Sequence, residues 1–232
     1  MTNRAGAVIV AAGEGRRMRG REKLFYPLGG DPLLALTLAA FQDHPGIGEI
    51  VLVGGERVRN RLTEEWRERY GLAKVTGAVP GGRRRQDSVY KGLGAFGTVP
   101  ELVLIHDGDR PFVSRAVISA VLAAASGGGA IAAVAVKDTV KRVDGEGVIT
   151  DTPDRRELKL AQTPQGFPFA TILDAHERAR REGREVTDDA ALAEWAGLRV
   201  RVVEGSYDNI KVTTPEDLVL AEAIHSRRRN KN

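Results

Sequence analysis

The feature that most constrains this fold is a set of short, nearly continuous apolar runs spaced by helix-length segments. Ala7-Val8-Ile9-Val10, the run from Glu49 to Gly54 and the run from Leu102 to His106 lack the polar–apolar alternation of a half-exposed strand. Runs of that kind form strands covered on both faces. The segments between them carry helix punctuation. Asp31-Pro32 predicts an N-cap with proline at the first position of a helix through Phe41, one charged helix is expected from Val58 to Tyr70, another from Ser88 to Phe96, and Ser114 caps a further helix through Ala125. A weaker strand from Ala73 to Val79 and a run from Ala130 to Val136 complete the series. This spacing predicts an α/β fold with a mostly parallel twisted sheet, flanked by helices reached through right-handed crossovers.

The rhythm then breaks. Val134 to Val143, the turn Asp144-Gly145-Glu146-Gly147 and Val148 to Thr152 predict a β-hairpin arm, about residues 136–157, with too little apolar surface to make its own core. Such an arm is expected to pack on another body, such as a second subunit. The last third returns to α/β, with a strand Leu158–Gln162 closed by the turn Gln162-Thr163-Pro164-Gln165, helices Phe169–Glu182 and Asp188–Trp195, and strands Leu198–Val203 and Asn209–Val212. Thr214-Pro215-Glu216-Asp217 starts a final helix expected to run to about Ser226, leaving a basic, partly disordered tail over 227–232. One nucleotide-binding-size domain, 1–232, with an inserted arm is the expected organisation.

Composition narrows the function. There is no cysteine, which excludes disulfides and thiolate metal sites. No stretch approaches the roughly 20 apolar residues of a membrane span, so a cytoplasmic protein without a membrane partner is expected. A net charge of +4 and a pI near 9.5 raise the possibility of a nucleic-acid-binding module. The cations do not follow one helix face, and aromatics, at 5%, are too few to serve as stacking platforms. No specific nucleic-acid partner is expected.

Chemistry concentrates where the apolar runs end. After Val10 come Ala11, Ala12, Gly13, Glu14 and Gly15, then Arg16, Arg17, Arg19, Arg21 and Lys23: five cations within eight residues. Small residues let backbone N–H groups approach a ligand, and the cations imply a polyanion such as a nucleoside triphosphate. Met18 replaces the third glycine of a dinucleotide fingerprint, which disfavours an NAD-binding oxidoreductase, and no Gly-Lys-Ser/Thr follows. The Leu102 run ends in His106-Asp107-Gly108-Asp109-Arg110-Pro111, where an acid at the strand edge suits Mg²⁺ on phosphate oxygens, with Asp109 a competing ligand. His106 is expected to be packed and hydrogen-bonded. Gly81-Gly82-Arg83-Arg84-Arg85-Gln86-Asp87-Ser88 offers a base edge backbone groups and one hydroxyl, with Arg85 adding charge or bracing the loop. Lys211, between Ile210 and Val212, exits to solvent or points at an anion.

Together AAGEGRRM with its following lysine, GGRRRQDSVYKGL, VLIHDGDRP, VKDTVKR, AQTPQGF, TDDAALAE and NIKVTTPEDLVLAE strongly resemble, in one order from about Ala7 to Ile224, the 2-C-methyl-D-erythritol 4-phosphate cytidylyltransferases of the non-mevalonate isoprenoid pathway. The resemblance implies a Rossmann-like sheet, a homodimer embraced by the hairpin arm, and Mg²⁺-dependent (or other divalent-cation-dependent) joining of CTP to methylerythritol phosphate with release of pyrophosphate. It implies that Ala11, Ala12 and Gly13, with Gly15, Gly82 and Ser88, hold the cytidine nucleotide, that Arg17 and Lys23 grip the triphosphate, and that Asp107 ligates the metal. Arg110, Thr163, Thr187 and Lys211 are implied contacts to the polyol phosphate, joined by Thr139 and Arg155 of a neighbouring subunit. Arg17, Lys23, Arg155 and Lys211 are then the catalytic cations. A ribitol-5-phosphate cytidylyltransferase shares nearly all these motifs and is the alternative within the class. In this chain Asp109 and Arg83 stand where the family commonly has a small residue and an acid or polar residue.

Overall fold

The protein is described by a computed structural model over residues 5–13 and 23–230. The expectations for Gly15, Arg16, Arg17, Arg19 and Arg21 fall outside the described residues.

Strand β1 (Ala5–Ala11) leads, across that stretch, to a 3-10 turn (Lys23–Phe25) and the short pair β2 (Pro27–Leu28) and β3 (Asp31–Pro32). Then come α1 (Leu33–Gln42), β4 (Ile47–Gly54), α2 (Glu56–Arg61), α3 (Glu64–Arg69), β5 (Val75–Pro80), α4 (Arg85–Leu93), β6 (Leu102–Asp107), α5 (Arg115–Ala125) and β7 (Gly129–Ala135). The arm holds β8 (Arg142–Val143) and β9 (Ile149–Asp151). The chain ends with β10 (Lys159–Pro168), α6 (Phe169–Arg181), α7 (Asp189–Trp195), β11 (Val200–Glu204) and α8 (Pro215–Arg229).

Seven strands form one sheet in the order β11-β7-β10-β6-β1-β4-β5. Every neighbouring pair is parallel except those of β10, which runs antiparallel to both β6 and β7. The doubly buried runs explain this layering. In β1, Ala7 and Ile9 face one core with Leu34, Leu38, Phe41 and Ile118, while Val8 faces the other with Val89, Phe167, Ile172 and Leu192. All three β1 residues are fully buried, so helices must cover both faces of the sheet. From β1 the chain builds outward through β4 to β5, then returns across β1 to place β6 on its other side. That reversal opens a crevice beyond the carboxyl ends of β1 and β6.

Several sequence expectations shift. Asp31-Pro32 forms β3 rather than a helix start, and α1 begins at Leu33 without a side-chain cap. The charged helix expected over Val58 to Tyr70 is two helices, because Thr63 accepts from the Trp66 N–H and restarts the chain as α3. Gln162 to Gln165 do not close a strand. They lie inside the 10-residue β10, whose register shifts between Ala161 and Gln165 as it crosses from β7 to β6. Asn209 to Val212 belong to no strand. The final helix continues to Arg229, so 227–229 are helical rather than a loose tail: Arg227 pairs with Asp208, and Arg228 donates to the Phe112 carbonyl at 2.9 Å. The caps expected at Ser114 and Thr214 are present, the latter as a full capping box with Asp217.

Candidate active site

A cleft of about 560 Å³ occupies the crevice at the carboxyl edge of the sheet. Its walls are Val10, Ala12 and Gly13 from the end of β1 and just beyond, Lys23, the segment Gly82–Arg85 with Ser88 of α4, Asp107 at the end of β6 and Asp109 just after it, and Lys211 and Thr213 ahead of α8. Residues far apart in sequence meet here because three parallel strands end at one edge.

The paired glycines are required by space. A Cβ on Gly81 would lie 2.3 Å from the Ala12 Cβ, and one on Gly82 would lie 2.3 Å from the Asp87 Cβ. Without side chains the loop after β5 can press against the end of β1. Ser88 closes it, its hydroxyl accepting from the Gly82 N–H at 2.9 Å and donating to the Arg84 carbonyl at 3.1 Å.

The turn after β6 is built on a neutral histidine. His106 is fully buried, tilted against Phe41 with ring centroids 4.9 Å apart. Its Nε2 faces the Arg110 carbonyl at 3.1 Å, which can only accept, so Nε2 carries the proton and Nδ1 accepts from the Thr163 hydroxyl at 3.0 Å. The same hydroxyl oxygen accepts from the Asp107 N–H at 3.0 Å. Burial pushes the His106 pKa down to about 4, against a smaller opposing effect of its hydrogen bond to Arg110. His106 is thus a packed bracing group, as expected, and Thr163 spends its hydroxyl beneath Asp107.

Above this base sits a lattice of charges. Arg85 Nε donates to Asp107 Oδ1 at 3.1 Å, Lys211 Nζ donates to Asp107 Oδ2 at 2.9 Å, and Arg110 Nε stands 3.6 Å from the same oxygen. Burial alone would raise the Asp107 pKa, but Arg85, Lys211 and Arg110 outweigh it and hold this carboxyl well below the usual range. Lys23 pairs with Asp109 and donates to the Val212 carbonyl at 3.2 Å. The stretch carrying Lys211 is fixed without a ladder: buried Asn209 donates to the Thr163 carbonyl at 2.8 Å, and the Val212 N–H donates to the Asp109 carbonyl at 2.9 Å.

The structure therefore brings Ala12, Gly13, Lys23, Gly82, Ser88, Asp107 and Lys211 to one cleft. Ala11 is buried at the end of β1, and Arg110 sits at the margin, donating to the Asn209 carbonyl at 2.8 Å. Thr187 is exposed just ahead of α7. Thr139 and Arg155 are exposed on the arm and do not line the cleft of their own chain; Arg155 donates to the Lys137 carbonyl at 2.7 Å. For a divalent cation the donor chemistry fits in one form only. Among the described residues no three His, Cys, Asp or Glu side chains gather as a metal cage, so a hard cation at Asp107 must share its coordination with ligand oxygens, as Mg²⁺ does with phosphates. Among the described residues the buried Asp109 Oδ1 has no hydrogen-bond partner, and it is a further oxygen near that position. Sequence reasoning missed Asp189, which binds Arg85 from behind at 2.6 Å, because nothing local links positions so distant.

Known proteins resemble this chain over nearly its whole length. Residues 5–227 match the family model described as 2-C-methyl-D-erythritol 4-phosphate cytidylyltransferase. The chain is 50% identical to the protein of that name from Halalkalibacterium halodurans, over 94% of this chain and 95% of the relative. It is 49% identical to that from Syntrophotalea carbinolica, over 94% of each. Among solved structures, 4-diphosphocytidyl-2C-methyl-D-erythritol synthase from Anaerococcus prevotii superposes with a TM-score of 0.85 at 33% identity, covering 97% of both chains. The 2-C-methyl-D-erythritol 4-phosphate cytidylyltransferase from Thermus thermophilus gives 0.75 at 38% identity, covering 96% of this chain and 99% of the other.

Proposed function

Because this chain belongs to the 2-C-methyl-D-erythritol 4-phosphate cytidylyltransferase family, we propose that it joins CTP to 2-C-methyl-D-erythritol 4-phosphate, releasing pyrophosphate. A phosphate oxygen of the polyol phosphate attacks the α-phosphorus of CTP, and the bond from that phosphorus to the bridging β-phosphate oxygen breaks. The observation that carries this reading is the convergence of Lys23, Lys211 and Asp107 with the Gly82–Ser88 loop on one cleft, of a volume suited to a nucleotide.

The nucleophile is already ionised, so no Ser, Cys or His needs activating; the obstacle is repulsion between two polyanions. Ala12, Gly13, Gly82 and Ser88 offer the nucleotide small side chains and backbone groups. Lys23 and Arg17 hold the triphosphate, and Lys211, Arg110 and Thr187 orient the incoming phosphate for in-line attack. Both lysines are held by carboxylates, Lys23 by Asp109 and Lys211 by Asp107. These ion pairs aim the lysines into the cleft, where phosphate oxygens can replace the carboxylates as their partners. Asp107, with Asp109 at its side, is the group to hold Mg²⁺, which when bound neutralises phosphate charge.

A homodimer belongs to this reading. The arm exposes Val143, Val148 and Ile149, and its Arg155 and Thr139 lie away from their own cleft, where a neighbour's site can use them. A CTP pool as substrate implies cytoplasmic action. The test is pyrophosphate release with CTP and Mg²⁺, comparing methylerythritol phosphate with ribitol 5-phosphate: preference for the former is expected, and preference for ribitol phosphate overturns the substrate assignment.

A further inference from the structure

The charge lattice does not stop at the cleft. Arg85 uses one edge for Asp107 and turns Nη1 to Asp189 Oδ2 at 2.6 Å, at the first position of α7. The Asp189 side chain is 2% exposed and lines no part of the cleft. Its other oxygen lies 3.5 Å from Nε2 of the fully buried His176 on α6. Arg85 thus stands between two carboxylates, one facing ligand and one sealed in the interior. Burial pushes the Asp189 pKa up, but Arg85 and His176 outweigh it and keep it ionised. The scaffold around the pair is tied separately: Gln86 Nε2 donates to the Arg184 carbonyl at 3.2 Å, and Gln86 Oε1 accepts from the Val186 N–H at 3.3 Å. A clamp between α4 and the loop before α7 therefore exists without Arg85. A second, buried ion pair in the same place needs another reason.

We propose that Asp189 is a positioning residue that acts through Arg85 on Asp107. With Arg85 held at Asp189, its Nε fixes Asp107 Oδ1 and turns Oδ2 toward the cleft and Lys211. Without Asp189, Arg85 would be free to swing and Asp107 Oδ1 would lose a fixed partner.

This inference rests on the cytidylyltransferase reading, and its test separates the two. Asp189→Asn keeps the shape, and Arg85→Lys keeps a charge but cannot bridge two carboxylates. Each is expected to lower kcat by about 10- to 100-fold, with the KM for CTP changing less than about threefold. The losses should not add in the double variant, because the contacts run from Asp189 to Asp107 through Arg85. Turnover is read at a temperature where thermal melts show each variant folded. Additive losses, unchanged kcat, a loss expressed wholly in KM, or variants that fold at no temperature at which the wild-type chain is folded would each overturn the proposal. An active wild-type chain with any of those results sinks the positioning role alone, whereas an inactive wild-type chain sinks the functional reading and this role with it.

Discussion

Arginine–aspartate pairs occur in the cleft and in the arm, and they do different things. In the cleft Arg85 binds Asp107 and Asp189, with the three side chains 26%, 9% and 2% exposed. In the arm Arg142 stands 3.7 Å from Asp151, with side chains 70% and 55% exposed. Water screens the arm pair, and such pairs contribute roughly 0–1 kcal/mol. The cleft carboxylates are largely shielded from water, so removing a cation leaves a costly uncompensated charge. The apolar residues are distributed the other way. The core on either side of the cleft is closed, whereas the arm leaves Val143, Val148 and Ile149 exposed along its hairpin. Charge is therefore the organising interaction in the cleft, and unburied apolar surface is what the arm has to offer a partner.

The strongest way to break this comparison is to remove a cleft cation. Lys211→Ala or Lys23→Ala should lower kcat by about 100- to 1,000-fold, while circular dichroism keeps the wild-type signature below a melting transition that falls because Asp107 or Asp109 loses a cation. Wild-type turnover in both variants would remove the cleft's charges from catalysis. The next test joins the two regions. Arg155→Ala and Lys211→Ala chains, each inactive alone, should regain up to about a quarter of wild-type turnover when unfolded together and refolded, since in half the dimers an intact cleft meets an intact arm. No recovery would mean that Arg155 serves no neighbouring cleft.

A smaller effect concerns stability. His106 is neutral in the folded chain with its pKa lowered to about 4, whereas the unfolded chain takes up a proton near 6.5. Between those values the unfolded state binds more protons, so stability falls as pH is lowered from about 6.5 to about 4, by up to ~3 kcal/mol from this residue. His44, also lowered by burial, acts in the same direction. Asp107 and Asp189 have depressed values, so their contribution is full above the ordinary carboxylate range and is lost only below it. Urea denaturation at pH 7.5 and pH 5 measures the histidine part, and equal unfolding free energies at the two pH values would contradict it. Smallest of all, Arg142→Ala should change the unfolding free energy by less than about 0.5 kcal/mol. A loss of 2 kcal/mol or more (roughly that of a buried pair) would erase the contrast between arm and cleft.

Much of this was legible in the residues themselves, for local reasons. The doubly apolar runs marked β1, β4 and β6, and Ser114 and Thr214 announced their helices through hydrogen bonds that span three residues. The hairpin arm was marked by a broken rhythm and a glycine turn, and the cleft motifs by small residues and charge at strand ends. Where neighbours compete, local reading failed. Pro32 enters a strand because Pro27 pairs with it, and Gln162 to Gln165 stay extended because β6 and β7 both need an antiparallel partner between them.

Sequence by itself determined the layered α/β architecture, the arm and several of the residues that line the cleft. Periodicity and capping act over a few residues and survive in any such chain. Only the tertiary structure decided which charges face each other: Lys23 with Asp109, Lys211 with Asp107, and Arg85 between Asp107 and Asp189. Those partners are 86 to 104 residues apart in all but one case, and the remaining pair, Arg85 with Asp107, crosses from one strand–helix unit to the next. Coulomb attraction depends on distance and burial, and both arise only when the ends of β1, β5 and β6 come to the same edge.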